Sequence, residues 1–546
     1  MSASNDSGRT LPRVLVIAGS DSSGGAGLEA DQKVIAAHGC YAMTATTALT
    51  AQNTQGVYGI HEVPVDFLRK QIDAVVGDVG VDVVKTGMLA SAGTIEAVAQ
   101  ALQDHKLKTL VIDPVMIATT GVELLPHSAS RALCEKLLPI ATILTPNVPE
   151  ANKLLLETGH DQRPVQSVAD LEDIAIKVQK LGSKWVLVKG GHSPFRRDGT
   201  EAKTEDEMEI VVNVLVGPAS GETKRDTEGE MVRIEMPYQR SRNTHGTGCS
   251  LASAIASNLA KGMDMVPAVK AGIRYVDAAI RTAPGLGQGN GPLNHFHSVK
   301  ALPFSSGHFL DYLLERPDVA PVWDRYIHHP FVMAMGDGTL PRESFKGYLM
   351  QDYVYLIHYA RANALASYKA KNIEDVAGSA AIVANCFREM NLHVQYCAGF
   401  GISKEQMEKT EEHQACTAYT RYVLDIGQSE DWFALQMALA PCLLGYGAIA
   451  KHLHASPNSK ANETDNLYWT WITNYVADDY TTAVKAGREL LERHAVLQSS
   501  GRIEELVRVF VHATKVSDNY LLLQTTGRNM EHRRRAELTK WFDLAI

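Results

Sequence analysis

The sequence predicts two domains of different class: an α/β domain with a mainly parallel central sheet flanked by helices, and after it an all-α helical bundle. Three observations carry that expectation. The chain has 546 residues, and a single hydrophobic core rarely keeps growing beyond roughly 250–300. Up to about residue 290, short β-branched runs alternate with helical stretches, the pattern of βα units wound on a parallel sheet. From about Ala301 onward glycine and proline thin out, and apolar residues recur three and four apart over long windows, as in helices that bundle together.

The strand candidates are continuous apolar runs, as strands buried on both faces should be: Val14–Ile17, Val81–Val84, Leu110–Ile112, Ile143–Leu144 and Trp185–Val188. They run into Gly19-Ser20-Asp21, Lys85-Thr86-Gly87, Asp113-Pro114, Thr145-Pro146-Asn147 and Lys189-Gly190-Gly191. Open α/β sheets bind ligands beyond the carboxyl ends of their strands, so these five loops are expected to meet in one crevice. The charged stretch Gly199 to Glu230 has no sustained period and reads mostly as a surface insertion. Pro284 to Pro292, with four glycines between its two prolines, reads as the domain boundary. In the helical part Phe345, Tyr348, Leu349, Asp352, Tyr355 and Leu356 share one helix face. Aromatic residues alone would mean core packing, but a buried carboxylate is too costly to keep without a partner or a use.

Composition narrows the function classes. With 45% hydrophobic and 21% charged residues, most of the length can bury a core. A formal charge of −9 argues against a nucleic-acid partner, which calls for a basic face, and favours small-molecule substrates. The polar segment Met1 to Thr10 has no apolar core of a secretory signal, and no apolar run reads as long enough to span a bilayer, so a cytoplasmic protein without membrane contact is expected. Seven cysteines without C-x-x-C pairs suggest neither a disulfide framework nor a zinc site.

Asn243-Thr244-His245-Gly246-Thr247-Gly248-Cys249, followed by the small-residue stretch Ser250 to Ala260, is the most informative segment. Glycines opening a helix expose unpaired backbone N–H groups, which with the helix dipole form an anion hole for a phosphoryl group. The Gly-Lys-Ser/Thr ending of a Walker A loop is absent. Gly25-x-Gly27-x-x-Ala30 imitates a dinucleotide fingerprint, but the acidic residue a ribose would need about twenty positions on is missing after the next strand.

Taken in order, the segments IAGSDSSGGAG, ALTAQNT, KTGML, DPVM, TPNVPEA, VLVKGGH, HGTGC and GPLNHF resemble the hydroxymethylpyrimidine kinases of the ribokinase-like superfamily across residues 1–295. The resemblance implies that Gly19, Gln52, Met88, Val115 and Cys249 line the pyrimidine pocket, with the Gln52 amide pairing with the ring. It implies that Lys189 neutralises the phosphates of ATP, that Gly246 and Gly248 shape the anion hole, and that Asp113, Asn147 and Glu150 organise Mg2+, Asp113 and Glu150 mostly through water. A magnesium shell, a lysine and an anion hole are what phosphoryl transfer asks for. Sugar kinases of the superfamily have an aspartate base where Cys249 stands, which separates them from this chain. A thiol at a helix N-terminus should have a lowered pKa, making Cys249 the expected acceptor of the hydroxymethyl proton. Two successive phosphorylations are implied, and pyridoxal kinase is the nearest rival.

Residues 303–546 resemble the TenA family of thiaminase II enzymes, with its haem-oxygenase-like helical fold, through YLMQDYVYL and APCLLGY. The resemblance implies that Asp352 contacts an aminopyrimidine, that Tyr355, Tyr419, Tyr446 and Tyr475 line the site, with Tyr468 an alternative to Tyr475, and that Cys442 is the nucleophile. It also implies a homo-oligomer through this domain. One departure stands out. In the family pattern FxxATxxxE the glutamate is the acid; Phe510, Ala513 and Thr514 match, but the acid position is Ser517. The neighbouring Asp518 is turned by about 100° on a helix and cannot replace it without rearrangement. The tail Asn519 to Ile546, with Arg533-Arg534-Arg535, resembles nothing in the family. A fused salvage enzyme is therefore expected, the rival being a kinase carrying a non-catalytic helical oligomerisation module.

Overall fold

The computed structural model describes residues 11–116, 126–162, 164–191, 193–218, 230–462 and 464–525; the Arg533-Arg534-Arg535 part of the tail lies outside them. The chain divides into two compact units, Met1–Val299 and Lys300–Ile546.

The first unit carries an eight-stranded sheet. Its strands are β1 (Arg13–Ala18), β2 (Tyr41–Thr46), β5 (Val83–Thr86), β6 (Leu110–Ile112), β7 (Ile143–Leu144), β8 (Trp185–Val188), β9 (Ile210–Val216) and β10 (Met231–Pro237), in the order β10-β9-β8-β7-β6-β5-β1-β2. From β2 through β8 all pairings are parallel, while β9 and β10 add antiparallel. Alternate side chains of one strand point to opposite faces. Accordingly Leu15 and Ile17 join one core with Leu68, Ile95, Leu154 and Leu171, and Val14 and Val16 join another with Leu28, Val34, Leu251 and Ile255. A separate hairpin, β3 (Ala48–Gln52) and β4 (Val57–Glu62), leaves the sheet beside β2.

Two expectations about this unit are corrected. The stretch Gly199 to Glu230 is not all surface insertion: Ile210–Val216 is β9, buried over its last five residues against β8. The part at 219–229 lies outside the described residues. Pro284 to Pro292, expected as the domain boundary, lies inside the first unit, its backbone bonded to Thr54, Arg242 and His245.

The second unit is helical, with main helices Arg342–Lys369, Ile373–Gly399, Gln414–Ser429, Trp432–Ala455, Asp478–Ala495 and Ser500–Thr525. Phe345, Tyr348, Leu349, Asp352 and Tyr355 are all buried, as their shared face required. Among the described residues one helix, Trp432–Ala455, is long and apolar enough to cross a membrane, contrary to the expectation that no such run exists. Its apolar window is 72% buried inside the unit, so its all-round apolarity has an internal cause: it packs against several other helices of the bundle.

Candidate active sites

Beyond the carboxyl ends of the parallel strands lies a cleft of about 670 Å³. All five predicted loops reach it, contributing Gly19 to Asp21, Gly87, Asp113, Asn147, and Lys189 with Gly191. Gln52, Met88, Val115, Glu150, Gly246, Gly248 and Cys249 line it as well. Met88 and Val115 pack with Ala48 and Ala90 in a small apolar cluster of their own, which makes one wall apolar. Gln52 stands at the end of β3, where the register to β4 shifts, and its backbone is fixed on both sides by Ser22 Oγ, which accepts from Gln52 N at 2.9 Å and donates to Gln52 O at 2.8 Å.

The charged wall forms around the helix Thr247–Ala260. Gly246 opens that helix at φ 81°, and a Cβ there would lie 1.9 Å from Gly25 O, so only glycine lets the two glycine loops touch. At Gly248 a Cβ would sit 3.1 Å from Lys189 Nζ and 3.4 Å from an Asp113 carboxylate oxygen. Lys189 and Asp113 therefore lie directly against the helix N-terminus, where the dipole favours an anion. Lys189 Nζ donates to Asp113 Oδ1 at 2.9 Å. Burial alone would pull the lysine down, but Asp113 and Glu150 outweigh it and hold it protonated. Glu150 is pushed up to about 7, mainly by burial and against the pull of Lys189. Its carboxylate also closes a capping box: Asn147 N donates to Glu150 Oε2 at 2.8 Å, and Glu150 N to Asn147 Oδ1 at 2.9 Å.

The expected activation of Cys249 is not found. Burial pushes its thiol up to about 12; Lys85 pulls the other way, while Asp31 and Asp113 add to the rise. Desolvation is the largest of these causes, and it outweighs the nearby lysine. Below it Lys85 and Asp31, both fully buried, meet at 2.8 Å, and Ser253 Oγ donates to Asp31 Oδ1 at 2.7 Å.

Sequence reasoning missed Asp21 and His245. Asp21 Oδ2 accepts from Ala26 N at 2.7 Å and lies 2.7 Å from His245 Nε2, tying the first glycine loop to the anion-hole loop. Burial works against the ionised form, yet His245 and Ser23 hold the Asp21 carboxyl well below the usual range. The signal was available in the residues flanking both glycine runs.

In the helical unit the predicted aromatic residues do converge. Tyr355 and Tyr419 stack with centroids 5.3 Å apart, and Tyr446 stacks on Tyr475 at 5.4 Å. Cys442 is within electrostatic reach of Tyr355, Tyr419 and Tyr446, whose phenols are pushed up chiefly by burial. Asp352, pushed up by burial, has His393 Nδ1 at 3.8 Å. Tyr468 packs on Phe345 and donates to Leu340 O, so the aromatic partner of Tyr446 is Tyr475. Ser517 is buried on the Tyr419 side and donates to Ala513 O at 2.9 Å. Asp518 Oδ2 instead accepts from Arg325 Nε at 2.8 Å. That ion pair holds the nearest alternative acid in place.

A cleft at the carboxyl ends of a parallel sheet, with a lysine against a glycine-opened helix, defines the first unit as a phosphoryl-transfer enzyme; the second is a helical, tyrosine-lined thiol site. The chain belongs to the phosphomethylpyrimidine kinase family, whose model matches residues 21–294, and residues 316–527 match the TENA/THI-4/PQQC family. It is 39% identical over 508 residues to "Putative hydroxymethylpyrimidine/phosphomethylpyrimidine kinase 2" of Schizosaccharomyces pombe, covering 93% of this chain and 90% of that protein. It is 34% identical over 545 residues to hydroxymethylpyrimidine/phosphomethylpyrimidine kinase THI20 of Saccharomyces cerevisiae, covering 93% and 95%. Among solved structures, phosphomethylpyrimidine kinase from Clostridium difficile 630 is 36% identical, covers 50% of this chain and 100% of its own, and has a TM-score of 0.39.

Proposed function

We propose that the first unit transfers phosphate from ATP to hydroxymethylpyrimidine and then to its monophosphate, in thiamin biosynthesis and salvage, while the helical unit releases the same pyrimidine alcohol from thiamin or its aminopyrimidine breakdown products. The observation that carries this is one cleft lined both by Gln52, Met88, Val115 and Cys249 and by Lys189, Asp113 and the Gly246 to Gly248 turn. A flat heteroaromatic ring fits the Met88–Val115 wall, with the Gln52 amide able to donate to a ring nitrogen and accept from an exocyclic amine.

Transfer is then mainly positioning and charge stabilisation. Lys189, kept charged by its carboxylate neighbours, meets the phosphate oxygens, and the helix N-terminus receives the charge that develops in transit. Among the described residues no trio of ligating side chains is grouped. Two carboxylates beside one lysine nevertheless suit a magnesium ion held mostly through water and phosphate oxygens, the usual habit of that ion, with Asp113 and Glu150 as its anchors. Such an ion would offset phosphate charge. The Cys249 thiol stays protonated and orients the hydroxymethyl group instead of serving as a ready base. In the helical unit Cys442 would add to the pyrimidine ring while Asp352 holds the amine and Tyr355, Tyr419, Tyr446 and Tyr475 hold the ring.

The reading is tested by giving the purified chain ATP with hydroxymethylpyrimidine or with pyridoxal. Stepwise formation of the pyrimidine mono- and diphosphates is expected, with pyridoxal the poorer substrate. Turnover of pyridoxal alone would overturn the substrate assignment.

A further inference from the structure

The glycine-rich segment Pro284 to Pro292 contributes no residue to the lining of the cleft, yet it joins two of its walls. At one end it lies on the tip of the β3–β4 hairpin. Asn290 N donates to Thr54 O at 2.9 Å and Gly289 N to Thr54 Oγ1 at 3.2 Å. A Cβ on Gly289 would stand 2.1 Å from Thr54 O, and one on Gly287, at φ 79°, would stand 2.4 Å from Thr54 Oγ1. Gln55 Nε2 also donates to Gln288 Oε1 at 3.3 Å. Thr54 is two residues beyond Gln52, so this contact holds the stretch that presents the pyrimidine-facing amide.

At its other end the segment grips the anion-hole loop. Gly291 N donates to Arg242 O at 3.2 Å, His245 N donates to Gly291 O at 3.1 Å, and His245 pairs with Pro292 as a parallel bridge. A Cβ on Gly291 would lie 2.1 Å from Asn243 Oδ1. His245 immediately precedes the turn at Gly246 and is itself tied to Asp21.

We propose that residues 287–291 form a strap whose contact with Thr54 sets the position of Gln52 relative to the anion hole, making Thr54 and Gly289 positioning residues for the pyrimidine substrate. The proposal rests on the reading of the cleft as a pyrimidine kinase site. A ring recognised on one wall and phosphates held on the other need the two walls at a fixed separation, and an amide moved out of hydrogen-bond reach loses its bond to the bound ring, which weakens binding. A strap bonded to both walls provides that separation without touching substrate.

The test uses the full chain with Thr54→Val, Thr54→Ser and Gly289→Ala. Valine keeps the shape of threonine and removes the acceptor for Gly289 N, whereas serine keeps the acceptor. The expected result is a rise of about tenfold in the KM for hydroxymethylpyrimidine in Thr54→Val and Gly289→Ala, with kcat and the KM for ATP within about twofold and Thr54→Ser close to the unmodified chain. In the absence of any substrate, amide hydrogen exchange across 48–62 should quicken in Thr54→Val and not in Thr54→Ser. Normal pyrimidine KM in Thr54→Val, or equal impairment in Thr54→Ser, would overturn the strap's role. The exchange measurement does not depend on the substrate, so it judges the strap even if the unmodified chain leaves hydroxymethylpyrimidine untouched, a result that would count against the substrate reading alone.

Discussion

In the kinase cleft, ionised groups meet partners at hydrogen-bond distance: Lys189 with Asp113, and Asp21 with His245 and the amide of Ala26. In the helical unit the comparable groups are phenols and one carboxylate pushed toward their neutral forms by burial, with His393 at 3.8 Å from Asp352. The carboxylate nearest the vacant acid position is bound to Arg325. A site that moves a phosphate has to hold charge in place, and the first unit is built to do so. A site that expels a leaving group has to deliver a proton, and the second unit has Ser517 where the TenA pattern read from the sequence expects an acid.

The largest effect that would sharpen this contrast is a gain. Ser517→Glu should raise the release of hydroxymethylpyrimidine by about 10²- to 10⁴-fold, the usual contribution of general acid catalysis, because burial beside Tyr419 would keep the new carboxyl protonated near neutrality. Kinase rates measured on the same variant should not move. No gain, from a parent chain that already hydrolyses fast, would place the acid elsewhere.

Next in size, Lys189→Ala should lower the kinase kcat by about 10²- to 10³-fold, since its charge matters most as the phosphoryl group moves. Pyrimidine release by the helical unit should be unchanged in a parallel assay. Gln52→Ala should act on binding, raising the KM for hydroxymethylpyrimidine by about tenfold while kcat changes little, the cost of roughly one lost hydrogen bond to a polar ring. A fall in kcat with constant KM would move Gln52 out of the recognition role.

The smallest effect concerns Cys249. With its thiol pushed up to about 12 by burial, the proton is retained as pH rises through the range near 8.5 where an ordinary thiol ionises. The kinase pH profile should therefore show no inflection there that belongs to Cys249, and Cys249→Ser should cost only a few-fold. A rise in kcat/KM below pH 9 that vanishes in Cys249→Ser would restore the thiolate base.

The cleft was legible in sequence because its strands are unbroken apolar runs, and a parallel sheet brings their carboxyl-end loops together whatever the loops contain. Less legible were β3, which alternates but is only five residues long with a single buried one, and β4, which is exposed along all but its first residue, and β9, whose apolar run was read with its charged surroundings. The Pro284 to Pro292 segment misled for a physical reason: glycine permits a flexible linker and also permits backbone to lie on backbone, and only the structure distinguishes the two. Cys249 misled because a helix dipole can be read from spacing, while burial beside Asp31 and Asp113 cannot. Helical periodicity placed Asp352 and Tyr355 correctly on the buried face, but the pairing of Asp518 with Arg325 joins residues 193 positions apart, and no local pattern announces it.

The most direct measurement is to follow both reactions on one purified sample, alongside Cys442→Ser. Brisk ATP-dependent phosphorylation of hydroxymethylpyrimidine is expected, together with slow release of the same alcohol from aminopyrimidine substrates that Cys442→Ser eliminates without altering the kinase. Fast release that survives Cys442→Ser, or phosphorylation that falls with it, would contradict a charge-holding kinase cleft joined to an independent, acid-poor thiol site.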